Sequence, residues 1–200
     1  MAIKFQYNKI SLQQLDKHLK MRERALPTLK NKESALRMEV KRARDKARAL
    51  DKDLQQMISQ YDNMVRLWGE FDSSLVSIDD VDLAVKKIAG VHTPVLKEVH
   101  FKIKEFSMFN QPVWTLDGIT LLKDIAKLGI EREVFYRKME LLDFARKKTT
   151  QKVNLYEKVQ IPGYQEAIRK IKRFLEDEDN LSKSAQKIVK TRQQQMEMES

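Results

Sequence analysis

Residues 12–71 decide the fold and read LQQLDKHLKMRERALPTLKNKESALRMEVKRARDKARALDKDLQQMISQYDNMVRLWGEF. Alternate steps of three and four residues from Leu12 reach 18 positions, of which 16 are apolar; Arg22 and Glu33 are the exceptions. A spacing that averages about 3.5 residues over this length is typical of a left-handed coiled coil. Because such a stripe is stable in water only when another helix covers it, the chain or a partner must supply that helix.

The covering helix is predicted in the C-terminal part of the same chain. Apolar positions recur at three- and four-residue steps over residues 121–142, and a second series in a shifted phase begins at Tyr164. The Pro162-Gly163 pair lies between the two series and predicts a bend, since both residues are unfavourable in helix interiors. Folding the chain back on itself would bury both stripes, so we predict a mainly α protein built on a long antiparallel two-helix coiled coil.

The middle of the chain has the period of a strand. Val99, Phe101 and Ile103 alternate with polar residues, which is typical of a half-buried β-strand. Gly90 is a turn signal, so the partner strand is expected around residues 81–88 or 91–96, giving a small β-hairpin. Aromatic residues near the hairpin are expected to form most of its core, with some exposed for a partner. They are Trp68, Phe71, Phe101, Phe106, Phe109 and Trp114.

These patterns divide the chain into three segments. Residues 1–72 form the N-terminal helix, 73–118 the hairpin segment and 119–200 the C-terminal helix. Ser11 is the expected N-cap of the first helix. Pro27 predicts a kink in that helix rather than its end. The residues after Gln193 have no apolar face, so fraying of the helix is predicted there.

Charge and composition restrict the function. The 39 Lys and Arg outnumber the 29 Asp and Glu, for a net charge of +10. Residues 1–60 carry +8, residues 61–130 carry −2 and residues 131–200 carry +4, so the basic ends favour acidic partners, either protein or nucleic acid. The absence of cysteine excludes disulfides and thiolate chemistry. Neither a membrane span nor a signal peptide is recognised, so an intracellular protein is expected.

No catalytic, cofactor-binding or metal site is predicted, and the chain is not expected to be an enzyme. Its three histidines are far apart, and none has the spacing of a metal site. Asp79, Asp80 and Asp82 lack the glycine and the terminal glutamate of a calcium loop. No glycine-rich phosphate loop is present, which argues against direct ATP binding.

Four motifs occur in the order and at spacings similar to those of one family. They are LKMRERALPTLKNKESALRMEV at 19–40, GVHTPV at 90–95, KTTQKVNLYEKVQIP at 148–162, and residues 175–190. Together they resemble the D subunit of V-type (vacuolar/archaeal-type) ATPases, and the Val-Asn-x-x-Glu-x-Val-x-Ile-Pro string is the specific part. Thr150 and Gln151 stand where the family usually has arginines.

The resemblance implies a central-stalk rotor shaft without catalytic residues of its own. Its partners would be the hexameric catalytic head of A and B subunits, the small F subunit and the socket subunit of the membrane ring. Rotation would couple ATP hydrolysis or synthesis in the head to ion translocation. The chain would lie on the cytoplasmic side of the membrane, as a peripheral part of the complex.

Two groups of residues are candidates for partner contact. The basic run on the first helix includes Arg37, Arg44 and Arg48, which suit either a solvated face or acidic loops of the head. The second group follows from the resemblance, and its alternative role is a local bend that re-registers the helices. It consists of Lys152, Val153, Asn154, Glu157 and Pro162.

A different function is kept as the alternative, namely a basic coiled-coil scaffold or hinge protein that dimerises or binds nucleic acid. No aromatic residue interleaves the basic run to stack on bases, so nucleic acid is not the expected partner.

Overall fold

The computed structural model describes residues 3–61, 69–107, 109 and 111–199, and within these ranges the protein is mainly helical. Its helical elements, in chain order, are α1 (Lys9–Gln60), α2 (Thr115–Asn154), a π-helical segment (Leu155–Gln160) and α3 (Ile161–Glu199). Helix α2 begins four residues before the predicted Ile119. Long helices at both ends of the chain and a small antiparallel hairpin between them confirm the predicted fold class.

The hairpin consists of β1 (Val76–Ile88) and β2 (Val91–Ile103), preceded by a short 3-10 turn at Ser73–Leu75. Its turn contains Ala89 at φ 48° and Gly90 at φ 81°, a pair of positive values that makes a tight two-residue connection. The predicted turn at Gly90 and the predicted partner strand around 81–88 are confirmed, whereas residues 91–96 belong to β2 itself.

Two irregularities interrupt the antiparallel register of the hairpin. Val76 pairs with Ile103 at the open end and Ile88 with Val91 at the turn, but the register shifts between Ile78 and Asp80 and again between Asp82 and Leu83. Such shifts add local twist and bend to a strand pair.

Helix α1 begins before the predicted N-cap. The Ser11 backbone N–H donates to Asn8 Oδ1 at 2.7 Å, and the Leu12 N–H donates to the Asn8 carbonyl at 3.1 Å. Asn8 therefore caps the helix, and the prediction of Ser11 was wrong by three residues. The apolar pattern misled because it begins at Leu12, whereas the helix already includes the exposed residues Lys9 and Ile10.

Pro27 lies inside α1 and does not end it, as predicted. A proline removes only one backbone N–H donor, and a long helix keeps its other hydrogen bonds. The kink predicted at Pro27 stays a prediction. At the other end of the seam, the predicted positions Met64 and Trp68 lie outside the described residues.

The chain divides into two compact units, which are described separately. The terminal unit comprises residues 1–31 and 149–200, and the central unit comprises residues 32–148. Each contains part of α1 and part of the C-terminal helical stretch, so the units cut across the three predicted segments.

The terminal unit has a core formed by α1 and α3. Leu15, Ala167, Ile168 and Ile171 are buried there. Further half-buried side chains pack against them: Ile3, Phe5, Leu12, Leu19, Tyr164 and Leu175. Tyr7 contacts Phe174, His18 lies beside Tyr164 and Lys30 pairs with Glu157, so the two stretches run in opposite directions.

The central unit has a core formed by α1, α2 and the hairpin tip. Leu36, Val40, Ala43 and Leu142 are buried there. The hairpin contributes Ile88, Ala89 and Val91, and α2 adds Met139 and Ala145. Packing of the hairpin tip against the helices gives the two-stranded sheet the support that it would lack alone.

The predicted aromatic core of the hairpin segment is present in part. Phe71 and Trp114 pack with their ring centroids 5.6 Å apart, and a Cβ on Gly118 would lie 2.8 Å from a Phe71 ring carbon. Phe101 and Phe106 are half-buried. Phe109 is 99% exposed, so it is not part of this core.

Helix α3 continues to Glu199, so the segment after Gln193 is helical, and the predicted fraying of this end stays a prediction. Gln, Met and Glu in this tail are strong helix formers and need no apolar face to remain helical. Among the helices in the described ranges, none combines the length and the apolar character that crossing a bilayer requires.

Candidate functional site

A polar cluster surrounds Arg22 in the terminal unit, where the apolar seam is broken. Arg22 Nε donates to Gln160 Oε1 at 2.5 Å, and Arg22 Nη1 donates to the His18 carbonyl at 3.0 Å. The guanidinium carbon lies 4.7 Å from the ring centroid of Tyr164 and 5.8 Å from that of Tyr156. Because these contacts are directional, they favour one alignment of α1 against the opposite helical stretch.

The helical stretch opposite Arg22 is not a regular α-helix. Within the π-helical segment, the Ile161 backbone N–H donates to the Tyr156 carbonyl, which is an i to i−5 hydrogen bond. Pro162, which has no N–H, follows at the second residue of α3. The π-helical segment precedes the predicted bend by one turn and accounts for the shifted phase of the later apolar series.

Two further polar contacts join α1 to the opposite stretch in the terminal unit. Lys30 Nζ lies 2.6 Å from Glu157 Oε1, and Gln165 Nε2 donates to Glu23 Oε1 at 3.5 Å. Both Lys30 and Glu157 are nearly half exposed, so solvent screens this ion pair. This ion pair therefore helps to fix the alignment of the two helical stretches but adds little stability.

The segment before α1 also packs on α3, which sequence reasoning missed. Tyr7 lies 4.9 Å from Phe174 between ring centroids, and Phe5 lies 5.4 Å from Tyr7. Ile3 packs so closely that a Cβ on Gly163 would lie 3.0 Å from its Cδ1. The sequence feature that could have predicted this packing is the alternation of Ile3, Phe5 and Tyr7 with polar residues, which indicates an extended segment with one apolar side.

The predicted contact residues at 152–162 have different environments. Val153 is only 8% exposed and therefore packs within the chain. Lys152, Asn154, Glu157 and Pro162 are exposed; Lys152 Nζ lies 5.9 Å from the Tyr156 ring centroid, and Glu157 pairs with Lys30. The π-helical segment supports the re-registering role, and partner contact by the exposed members stays a prediction.

The predicted basic residues of α1 lie in the central unit and are all exposed. Arg37 pairs with Glu33 on its own helix at 2.8 Å. Within the described residues, Arg44 and Arg48 have no acidic group within ion-pair distance. They flank the buried positions Ala43 and Ala47 and leave two cations available at the helix surface.

The C-terminal end of α3 from residue 176 onward, here called the bare end of α3, carries apolar side chains that are exposed within the described part of the chain. Every residue from Glu176 to Met196 is exposed. Leu181 is 72% exposed, and the neighbours Ile188 and Val189 are 56% and 54% exposed. Steps of seven and eight residues place these side chains along one side of the helix, and such an unpaired stripe indicates a contact surface.

The perturbed ionisable groups have local causes and do not form a reactive centre. Hydrogen bonding from Ser74 lowers the pKa of Asp72, which caps the 3-10 turn. A hydrogen bond with Lys170 lowers the pKa of Glu166, and the same bond raises the pKa of Lys170. In the described part of the chain, no cluster of three His, Asp or Glu side chains is suited to hold a metal ion.

The fold and the site define a class of protein, namely an antiparallel helix-pair protein with a β-hairpin between its helical ends. A family described as the D subunit of ATP synthase matches residues 11–191. The chain therefore belongs to the ATP synthase D-subunit family.

Individual relatives agree with that assignment. The D subunit of V-type ATP synthase from Borreliella burgdorferi is 29% identical over 194 residues, which cover 94% of each chain. The protein of the same name in Chlamydia muridarum is 29% identical over 85% of this chain and 86% of its own. That of Chlamydia pneumoniae is 28% identical over 76% of this chain and 75% of its own.

Proposed function

We propose that this chain is the central-stalk rotor shaft of a V-type ATP synthase. Family membership makes it a D subunit, which is a central-stalk component. The observation that carries the proposal is the match over residues 11–191, which includes both helical ends and the hairpin. The scaffold alternative is not favoured, because the same match accounts for the whole coiled-coil and hairpin arrangement.

The contacts within each unit suit the transmission of torque. In the terminal unit, directional contacts from Arg22 and Lys30 of α1 reach the opposite helical stretch. In the central unit, Arg132 of α2 pairs with Asp51 of α1 at 3.1 Å. Two helices that are cross-connected in this way resist twisting better than one helix, because relative sliding would break packed and hydrogen-bonded contacts.

The shaft acts without chemistry of its own. The basic face and the polar cluster offer contacts and alignment. In this proposal the chain couples ATP hydrolysis or synthesis elsewhere in the complex to ion translocation by turning as a mechanical element, as its membership of the D-subunit family supports.

The proposed partners are the catalytic head of A and B subunits, the small F subunit and the socket subunit of the membrane ring. This places the shaft at the cytoplasmic side of the membrane. Arg44 and Arg48 are suited to acidic loops of these partners, since they are exposed and carry no internal ion pair in the described part of the chain. Nucleic acid is not among the proposed partners.

The bare end of α3 is proposed to enter the head. Its exposed apolar residues would be buried there against the head subunits. Their spacing along one side of the helix suits contact with subunits that surround it. The segment lies beyond the buried core of the terminal unit, which ends near Ile171 and Leu175. Its removal should therefore leave the fold of the rest intact.

The experiment is a truncation after Glu176, tested in the reconstituted complex. We expect the truncated chain to unfold at the same temperature as the full chain but to lose most ATP-driven rotation, because the head no longer engages the shaft. A triple variant, Leu181→Ser, Ile188→Ser and Val189→Ser, should show the same loss. The matched control replaces the polar neighbours Lys183, Lys187 and Lys190 by Ser. Full rotation by the truncated chain would refute head engagement.

A further inference from the structure

Strand β1 is the outer strand of the hairpin. In the described part of the chain it pairs with one strand only, β2. Nine of its 13 residues are exposed, against six of 13 in β2. Strand β2 borders α2, because Pro94 and Leu96 line a groove together with Phe135 of that helix. The free backbone edge of β1 is therefore the accessible one for another strand.

The charges of β1 are arranged so that the strand complements itself. Residues 79–87 read DDVDLAVKK, with acidic residues before Leu83 and two lysines after it. All the charged side chains in this stretch are exposed. The register shift between Ile78 and Asp80 leaves Asp79 without a partner on β2, so the regular part of β1 starts at Asp80. An antiparallel copy centred on Leu83 would place Asp80 opposite Lys86 and would bring the bulged Asp79 near Lys87. Opposite charges in facing positions stabilise strand pairs, and a two-fold axis would provide each pair twice.

The apolar residues of the same stretch follow the same symmetry. Val81 would face Val85, and Leu83 would face its own copy on the two-fold axis. Leu83 is 52% exposed and Val85 is 70% exposed in the single chain. Since alternate residues of a strand share a face, these three side chains would form one apolar row across the joined strands.

We propose that β1 is a self-association edge, by which the chain outside the assembled enzyme pairs antiparallel with a second copy of itself. The result is a four-stranded sheet in the order β2–β1–β1–β2. The charge order favours a second copy over an arbitrary strand, because an unrelated strand would need the same acidic-to-basic pattern to match it. This inference does not rest on the proposed rotor function.

The first test is sedimentation equilibrium of the full chain and of two charge variants. Asp79→Lys with Asp80→Lys makes the edge basic, and Lys86→Glu with Lys87→Glu makes it acidic. We expect the wild type to dimerise with increasing concentration and each variant to dissociate at least about tenfold more readily. An equimolar mixture of the two variants should restore dimerisation, since every facing pair is again of opposite charge.

Restoration in the mixture also shows that both variants are folded. Lys183→Glu with Lys187→Glu, on the bare end of α3, is the matched control and should dimerise as the wild type does. A wild type that remains monomeric throughout would overturn the proposal, and would leave the edge to a strand of another protein. Variants that dimerise like the wild type, or a mixture that fails to restore dimerisation, would overturn it as well.

The second test locates the two-fold axis. The natural chain has no cysteine, so a single introduced thiol reports one position. Leu83→Cys should form a disulfide-linked dimer under mild oxidation, because the two copies of residue 83 face each other. Lys102→Cys on β2 is the control and should remain monomeric. Equal cross-linking at both positions would contradict the proposed register.

Discussion

The two units use the same helix, α1, in different ways. In the central unit, the core side chains Leu36 and Leu142 are fully buried and every buried member of that core is apolar. In the terminal unit, the apolar core around Ile171 is accompanied by the Arg22 cluster and by an extended N-terminal segment. The central unit also has a polar contact between its helices, Arg132 with Asp51 at 3.1 Å, whereas the terminal unit has several, made by Arg22, Lys30 and Glu23.

The apolar seam is nearly continuous in the sequence, but different interactions stabilise its two parts. Apolar packing gives most of the stability but tolerates sliding by a heptad, because one leucine resembles the next. A polar group in the seam disfavours the alternative alignments, since a shift would leave it without its partner. Arg22 occupies that position in the terminal unit.

The largest expected effects come from deletions in the two cores. Leu142→Ala should lower the free energy of unfolding by about 3 to 5 kcal/mol, and Ile171→Ala by about 2 to 4 kcal/mol. The two ranges overlap because both side chains are fully buried and half-buried apolar side chains pack against both cores. Chemical denaturation measures both, and a larger loss for Ile171→Ala would reverse the comparison.

A pair of glycines in α2 tests packing in the central unit. Gly118→Ala should destabilise the protein by about 1 to 3 kcal/mol, since the new Cβ would meet the Phe71 ring at 2.8 Å. Gly129→Ala is the matched control, because no neighbouring atom lies within 4 Å of its Cβ position. It should stabilise α2 by up to about 1 kcal/mol. Thermal unfolding measures both variants, and shifts in the same direction would contradict close packing at Gly118.

Arg22→Leu tests the polar contacts of the terminal unit. The free energy of unfolding should change by less than about 1.5 kcal/mol, because the apolar side chain completes the seam. The alignment of the helices should become heterogeneous. Spin labels at Lys17→Cys and Arg169→Cys should report one interhelical distance in the wild type, and a second population after Arg22→Leu displaced along the helices by about 10 Å.

Arg24→Leu is the control for that experiment, because Arg24 is exposed on the same helix and lies outside the polar cluster. It should leave a single distance. A single distance in the Arg22→Leu variant would mean that apolar packing alone aligns the terminal unit, and the contrast between the units would disappear.

The smallest expected effect concerns Asp143, beside the buried Leu142. Burial raises the pKa of this carboxyl, but hydrogen bonds from Lys147 and Arg146 outweigh that effect and hold the pKa below its ordinary value. Asp143→Asn should therefore lower stability by about 0.5 kcal/mol at neutral pH. The difference is fully present above the unfolded-state pKa and is lost as the pH falls through the folded-state pKa. A difference in unfolding midpoint that persists well below both pKa values would contradict this cause.

Periodicity was sufficient to predict much of the fold. Leu36, Val40 and Ala43 were recognised from their spacing, and all three are buried. The hairpin followed from alternation and from Gly90, because few residues adopt the positive φ of that turn. These features depend on short-range patterns, which a sequence displays directly.

The details of the candidate site could not be predicted in the same way. Arg22 was visible as a break in the seam, but its partner Gln160 lies 138 residues further along the chain. The exact alignment of two helices decides such a pair, and periodicity leaves that alignment open within a heptad. The packing of Ile3 against Gly163 depends on the same alignment.

The most direct measurement of the rotor function is single-molecule rotation of the reconstituted complex. The chain would carry His92→Cys, an exposed site beside the hairpin turn, as the attachment point for a bead, with accessible cysteines of the other subunits replaced. We expect unidirectional rotation of the bead during ATP hydrolysis. A bead that stays still, on a complex that contains this chain and hydrolyses ATP at the normal rate, would contradict the rotor function.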